Sequence, residues 1–476
     1  MPAKVFVTGI TGYIGGDAFH LIQQNHPDFE FSALIRTEDK AQKVRQKYPN
    51  VRIVLGDLDD ADKIAKEAAW ADIVIHTADA SDHVGAANAI AKGMVDGHSP
   101  ERPGYWLHTG GTGILTYFDS EVRKVSGEPD DKVFNDWDGV DELVNLPAAA
   151  FHRNVDEIVL DVGSKHSDRV KTVIVCPPTI YGRGRGPVSG RGRQVYELAS
   201  FILTQKYSPQ LGRGLARWNN VHVYDLSRLY DGLVRAALDP TRQNDKEIWG
   251  AKGYFLSENG EHVWGDLSRQ IGQQAFKHGY LTQEPEHKQW SLDEALKSPA
   301  GFEAASWGYN SRGSALRARE VLGWKPQEQS LEAEIPEIIR AEAARLESHA
   351  HLSVITFQPL VNGEKTSTLA IEIPAMPEGQ YAQGSTTMEV RAVYRSETPT
   401  WDNQPHKEKT VGKATFPTWE VQQGWLQRSM PLDCEADGYM VELSNPEGDG
   451  NVLFWNQLLR KPGAPAIGWR MLQGGC

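Results

Sequence analysis

The residues with the clearest chemistry lie at the start of the chain, where the apolar strand Val5-Phe6-Val7 runs into Thr8-Gly9-Ile10-Thr11-Gly12-Tyr13-Ile14-Gly15-Gly16. Ile14, Ala18, Leu21 and Ile22 then recur at helical spacing, so a helix begins inside the glycine run. Strand, glycine turn and helix N-terminus in that order form a cradle for a pyrophosphate. Gly9 allows the tight turn, Gly12 lets backbone approach the phosphates, and Gly15 lets the helix pack close to the strand. The free N–H groups of the first turn, with Thr11, Tyr13 and Ile14 in the loop, and the positive end of the helix dipole then hold the anion. The ligand this describes is a dinucleotide.

The next strand, Phe31-Ser32-Ala33-Leu34-Ile35, ends at Arg36. At about 20 residues past the loop an acidic side chain would bind an adenosine ribose 2′-hydroxyl. A planar guanidinium suits a 2′-phosphate instead, so NADP is favoured over NAD. The alternative is that Arg36 stacks on the adenine without discriminating. A second concentration of cations, Gly182-Arg183-Gly184-Arg185-Gly186 and Gly190-Arg191-Gly192-Arg193, sits on glycine-flexible backbone. Arg183 and Arg185 are the candidate substrate-binding residues, able to clamp a phosphate or carboxylate; solvated loop charges are the other reading.

The elements that must position these groups span a long chain. Its 476 residues suggest two domains, and 40% hydrophobic with 24% charged residues describes a globular protein. A net charge of −13 argues against sequence-independent binding of nucleic acid. Cys176, Cys434 and Cys476 make neither a disulfide framework nor a zinc site, so no metal is expected. No apolar run reaches the ~18 residues of a membrane helix, and Met1 to Lys4 lead straight into a strand with no secretory leader. The expectation is a cytoplasmic protein with no membrane contact.

Several stretches together are similar to the short-chain dehydrogenase/reductase superfamily, in its extended, epimerase/dehydratase-like branch. They are the glycines at 9, 12 and 15; Gly56-Asp57-Leu58; Ile73-Val74-Ile75-His76-Thr77-Ala78; Val173 to Gly182 with Pro177-Pro178-Thr179; Asn220 to Leu226; and Ala318 to Pro326. The resemblance covers about residues 3 to 345. It implies an α/β fold: a Rossmann-type, doubly wound parallel sheet with a smaller interleaved α/β substrate lobe, mainly residues 183–345. It also implies that Asp57 and Leu58 line the adenine, that Thr77 and Ala78 line the cofactor, and that Pro177 and Thr179 pass the nicotinamide. Asp225 is expected to cap the helix that follows its strand.

The pattern breaks at the chemistry. The family places a Ser or Thr after the fifth strand, and a Tyr and a Lys four residues apart on the next helix. Here Tyr105-Trp106-Leu107-His108 is followed by Thr109-Gly110-Gly111-Thr112-Gly113, so the hydroxyl position falls on Gly111, with Thr109 or Thr112 able to reach the same space. The helix reads Phe151-His152-Arg153-Asn154-Val155-Asp156-Glu157-Ile158-Val159. Phe151, Val155, Ile158 and Val162 form its apolar stripe, and His152 and Asp156 stand one turn apart where Tyr and Lys would be. A carboxylate one turn away favours the imidazolium, raising the pKa of His152 and making it a general acid. A helix-terminal histidine held by a carboxylate, with no proton-transfer role, is the plainer alternative.

After a Glu/Ala/Arg-rich helix, roughly Glu332 to Ser348, helical periodicity gives way to short alternating runs separated by turn clusters. This predicts a C-terminal all-β, sandwich-like domain over 349–476 after a dinucleotide-binding domain over 1–348. Trp401, Trp419, Trp425, Trp455 and Trp469 serve either its packing or a sugar- or partner-binding face. The whole reads as an NADP(H)-binding oxidoreductase or epimerase-like enzyme for a small carbonyl, hydroxyl or nucleotide-sugar-like substrate, with the oligomeric state left open and a homodimer one of the assemblies compatible with it. A non-catalytic NAD(P)-binding redox sensor that engages a protein partner is the alternative.

Overall fold

The computed structural model describes residues 2–350 and, beyond them, seven strands between 368 and 472. The first half alternates strand and helix: β1 (Lys4–Thr8), α1 (Tyr13–Asn25), β2 (Glu30–Ile35), α2 (Glu38–Lys47), β3 (Arg52–Leu55), α3 (Ala61–Trp70), β4 (Ile73–His76), α4 (Val84–Gly97) and β5 (Gly104–Thr109). A 3-10 turn (Thr112–Thr116) and a π-helical turn (Phe118–Arg123) lead to β6 (Phe134–Asn135), α5 (Val140–Val144), α6 (Arg153–Lys165) and β7 (Val170–Cys176). The second half is less regular, with β8 (Thr179–Tyr181), α7 (Gln194–Gln205), β9 (Tyr207–Leu211), β10 (Arg217–His222), α8 (Val223–Leu238), β11 (Tyr254–Leu256) and β12 (Glu261–Val263). It closes with α9 (Trp264–Lys277), β13 (Glu286–Trp290), α10 (Leu292–Lys297), α11 (Gly301–Ser306), β14 (Gly313–Ser314), α12 (Leu316–Leu322) and α13 (Leu331–Ala350).

Seven parallel strands make the main sheet, in the order β11-β7-β5-β4-β1-β2-β3. The order reverses at β1, the doubly wound Rossmann arrangement. α3, α4 and α6 pack side by side on one face and α1 with α8 on the other. With both faces covered, the central strands are apolar throughout: Val5, Phe6, Ile73, Val74, Trp106, Leu107, Val173 and Ile174 are all buried. A second lobe is built from two smaller sheets, β12-β10-β8 and β13-β9, with α7, α9, α10 and α11.

Two local expectations are corrected. α6 begins at Arg153, not Phe151, because His152 sits at its N-cap with φ +69°, a left-handed conformation that interrupts the helical spacing. Phe151 therefore leaves the apolar stripe and is 42% exposed. α8 is capped by His222, whose ring accepts from the Tyr224 N–H. Asp225 lies inside the first turn, fully buried, and accepts from the backbone N–H groups of Gln327 and Glu328 at 2.8 and 3.1 Å.

The chain divides into two compact units, Met1–Ala343 and Ala344–Cys476. The strands of the second pair antiparallel in two sheets, one of 426–431, 368–373 and 470–472, the other of 409–417, 385–393, 438–444 and 451–455. Their packing as a sandwich, and the face expected of its tryptophans, lie outside the described residues.

Candidate functional site

The carboxyl ends of β1, β4, β5 and β7 converge where the strand order reverses, the place at which an open α/β sheet binds its ligand. The glycine loop leaves β1 through Gly9 at φ +87°, and the Gly12 N–H donates to the Gly9 carbonyl at 2.8 Å. A Cβ on Gly9 would lie 2.3 Å from Thr77 Oγ1, and one on Gly15 only 2.0 Å from the same atom. Both glycines are thus compelled by the approach of the β4 loop. Gly12 is different: its Cβ would meet only the Gly9 carbonyl, at 3.2 Å, so the space beside it is otherwise open. No side chain caps α1 and none in its first turn is acidic, which leaves the amides of Tyr13 and Ile14 for an anion. These residues fit a dinucleotide pyrophosphate.

The rest of the expected cofactor shell surrounds that loop. Thr77 Oγ1 donates to the Thr8 carbonyl at 2.7 Å, and the N–H groups of Thr77 and Ala78 donate to Thr8 Oγ1 at 3.3 and 3.4 Å. Arg36 stands exposed at the end of β2, and Asp57 and Leu58 follow β3 in a turn closed by Asp59 N–H on the Asp57 carboxylate. The Pro177 carbonyl accepts from the Thr112 N–H at 3.0 Å, tying the β7 turn to the β5 loop. Thr179 is fully buried and donates to Gln194 Oε1. The Tyr13 side chain turns away from the loop, its hydroxyl donating to the Gly182 carbonyl.

Above the β5 and β4 ends lies His152. Its Nδ1 is 2.7 Å from Asp82 Oδ1, on the loop between β4 and α4. Its other nitrogen, Nε2, faces the glycines after β5: a Cβ on Gly111 would be 3.4 Å from it and one on Gly113 3.3 Å. With no side chain, Gly111 and Gly113 leave clear the room this imidazole occupies. Burial pushes the Asp82 carboxyl up, but the hydrogen bond and charge of His152, with Ser81 and Arg193, hold it below its ordinary value. The couple is a carboxylate orienting an imidazole through one nitrogen and leaving the other for proton transfer.

Asp156 does not partner His152. It is buried against the sheet, with Oδ2 accepting from the Tyr254 hydroxyl at 2.9 Å and Oδ1 without a partner. Burial raises its carboxyl to about 6, against the hydrogen bond from Tyr254 and the charges of His152 and Arg153. The Tyr254 hydroxyl also lies 3.4 Å from Cys176 Sγ, whose thiol burial pushes up. Thr109 faces the opposite side of the sheet, its hydroxyl 2.5 Å from that of Tyr230 on α8. Thr112 Oγ1 accepts from Trp218 Nε1. Neither hydroxyl accompanies His152.

The arginine loop has its own employment. Arg185 is paired with the buried Asp17 of α1, at 2.7 and 3.0 Å, and lies over the Tyr224 ring at 3.8 Å. Arg185 therefore fastens the loop to α1 and does not reach out as an anion clamp. Arg183 is exposed. Asp82 is the residue that sequence reasoning missed, since nothing in Ser81-Asp82-His83 points seventy residues ahead.

Comparisons with known proteins agree with this architecture. A model of the NAD(P)H-binding family matches residues 9–98. Oxidase ucsJ of Acremonium sp is 39% identical over 358 residues, 73% of this chain and 99% of that protein. The chain belongs to one family with this oxidase, and its fold is that of the extended short-chain dehydrogenase/reductases. The uncharacterized protein YLL056C of Saccharomyces cerevisiae is 25% identical over 336 residues, 68% of this chain and 95% of its own length. Among solved structures, the dTDP-glucose 4,6-dehydratase of Bacillus anthracis in complex with NAD superposes with a TM-score of 0.50 at 14% identity, over 73% of this chain and 98% of that one. The PbgP3 protein of Burkholderia pseudomallei does so at 0.51 and 12% identity, over 72% and 98%. As a member of the family the chain has an NAD(P)-binding fold of the oxidoreductase and epimerase type, and its cofactor is a nicotinamide dinucleotide. Among the described residues no helix is long and apolar enough to cross a membrane.

Proposed function

We propose that this protein is an NADP(H)-dependent oxidoreductase in which His152, oriented by Asp82, does the proton transfer that tyrosine does elsewhere in the family. The observation that carries the reading is the 2.7 Å contact of His152 Nδ1 with Asp82, which leaves Nε2 over the glycine shoulder of β5. Bound NADPH would supply the hydride. In reduction the imidazolium donates its Nε2 proton to the carbonyl oxygen as that oxygen gains charge. In oxidation the imidazole, its Nδ1 proton held by Asp82, accepts the hydroxyl proton at Nε2. Asp82 stabilises the cationic ring in both directions and fixes its tautomer, without itself taking the proton.

Arg36 makes the cofactor NADP rather than NAD, because the residue at the end of β2 is an exposed guanidinium that can meet a 2′-phosphate, not a carboxylate for a 2′-hydroxyl. The name oxidase carried by the Acremonium relative accords with redox chemistry on an alcohol or carbonyl. The test is oxidation of NADPH by the full chain with a panel of ketones and aldehydes, and reduction of NADP with the alcohols. Turnover that disappears in His152→Phe while NADPH still binds supports the assignment. Firm NADPH binding with no turnover on any member of the panel favours a sensor in place of an enzyme.

A further inference from the structure

Two features flank the His152–Asp82 couple, and both bear on what can approach it. The first is charge. Of the arginines on the loop after β8, Arg185 is held by Asp17, Arg191 by Glu342 and Glu197, and Arg193 by Glu303. Farther on, Arg213 is held by Glu128. Each guanidinium already has its carboxylate, so the loop that looks basic in sequence is close to neutral where it folds. Arg183 is left, exposed and close enough to Glu337 to lower that carboxyl. A diphosphate would need several unpaired donors converging on it.

The second is a pair of exposed aromatic rings. Phe151 lies on the His152 ring, centroids 3.7 Å apart, and its edge comes within 3.1 Å of where a Gly113 Cβ would be. Phe302, on α11, faces Phe151 with centroids 5.5 Å apart. They are 42% and 62% exposed. A lone exposed phenylalanine needs no explanation, but two in contact against a reactive imidazole form an apolar mouth. Arg193 secures the roof of this mouth: it pairs with Glu303, next to Phe302, and its charge also reaches Asp82.

We infer that the substrate is an uncharged, largely apolar ketone or alcohol whose body lies against Phe151 and Phe302 with its oxygen at His152 Nε2, and not a sugar carried on a nucleoside diphosphate. The inference rests on the reading of His152 as the proton-transfer group. It departs from a nucleotide-sugar substrate because Arg185, Arg191 and Arg193 are paired internally, which leaves Arg183 alone on that loop to meet a diphosphate.

The experiment is calorimetric titration of the full chain, loaded with NADP, with three probes: methyl naphthyl ketone, methyl nonyl ketone and UDP-glucose. At least one neutral ketone binds saturably, Phe302→Ala weakens it about tenfold, and Phe302→Leu recovers part of the loss, the scale of a lost aromatic contact. Phe302 is mostly exposed, so its truncation does not threaten folding. UDP-glucose gives no binding at the same concentrations. Saturable UDP-glucose binding lost in Arg183→Ala, binding of neither ketone, or ketone affinity equal in Phe302→Ala and the parent each overturns the inference. Asp82→Asn separates the two claims, since it removes turnover while leaving ketone affinity intact. Ketones that bind and depend on Phe302 yet are never turned over sink the proton-transfer reading and leave the substrate class standing.

Discussion

Asp82 Oδ1 lies 2.7 Å from His152 Nδ1, across seventy residues of chain and on a different loop. The same helix carries Asp156 one turn on, yet that carboxylate is directed into the sheet, to Tyr254. The imidazole therefore takes its orientation from the β4 loop, and this makes a sharp prediction. His152→Phe lowers kcat about 10²–10⁴-fold, and Asp82→Asn does so to a similar extent, with NADPH affinity retained in both. Asp156→Asn leaves neutral-pH turnover close to the parent. Steady-state kinetics of the three variants decide between the two carboxylates, and a collapse confined to Asp156→Asn would return the role to the helix.

Asp156 is expected to register instead in stability against pH. Its folded carboxyl sits at about 6 and its ordinary value is 3.8. Between those values the folded state binds the extra proton, so this residue favours folding increasingly as pH falls from neutral toward 4 and opposes it above 6. Asp156→Asn removes that dependence. Relative to the parent, the variant should gain about 1–3 kcal/mol as pH rises through the window. Asp136, also raised to about 6 by burial, contributes equally to both proteins and cancels. Parallel urea denaturation series at several pH values measure the difference, and curves that stay a constant distance apart would exclude it.

The glycine loop separates packing from ligand contact. Gly15→Ala drives a methyl to 2.0 Å from Thr77 Oγ1 and 2.5 Å from the Gly9 carbonyl, so both melting temperature and NADPH affinity should fall. Gly12→Ala meets protein only at 3.2 Å. Its melting temperature should stay near that of the parent while NADPH binding is lost, because the methyl stands where the pyrophosphate approaches. Thermal melts with and without NADPH report both quantities.

Arg36→Ala should weaken NADPH by about 1–2 kcal/mol and leave NADH unchanged, the effect of one charge-assisted contact to the 2′-phosphate. Fluorescence titration with each dinucleotide checks it. Equal affinities for the two in the parent protein would remove NADP from the assignment.

Arg185→Ala should act on stability and not on substrate affinity. It strips a partly buried cation from the fully buried Asp17, which keeps only the Ser227 hydroxyl and the loop amide of residue 185. A loss of about 1–3 kcal/mol is expected, below that of a fully buried pair because Arg185 is partly solvated. A raised KM with an unchanged melting temperature would instead restore it to the substrate.

The parts of this protein legible in the sequence are those whose physics is local. Strand, glycines and helix at Val5 to Ile22 need only adjacent backbone to make a phosphate cradle, and Arg36 needs only its place at the end of β2. The alternation of apolar strands with helices likewise implies the parallel sheet, since each crossover helix must cover a face. Neighbours across the fold were decided by tertiary structure. A left-handed residue at His152, φ +69°, swings the imidazole off the stripe it would share with Asp156 on a regular helix. The pleat of β5 sends Thr109 to Tyr230 while Gly111 clears the space on the His152 side. Glycine-rich spacing showed that Arg185 and Arg191 were on a pliable loop, but the carboxylates that bind them, Asp17 and Glu342, lie 168 and 151 residues away. Periodicity along a chain describes which faces are apolar; which charge meets which is settled only when distant elements close on one another and each buried ion must find its counter-ion.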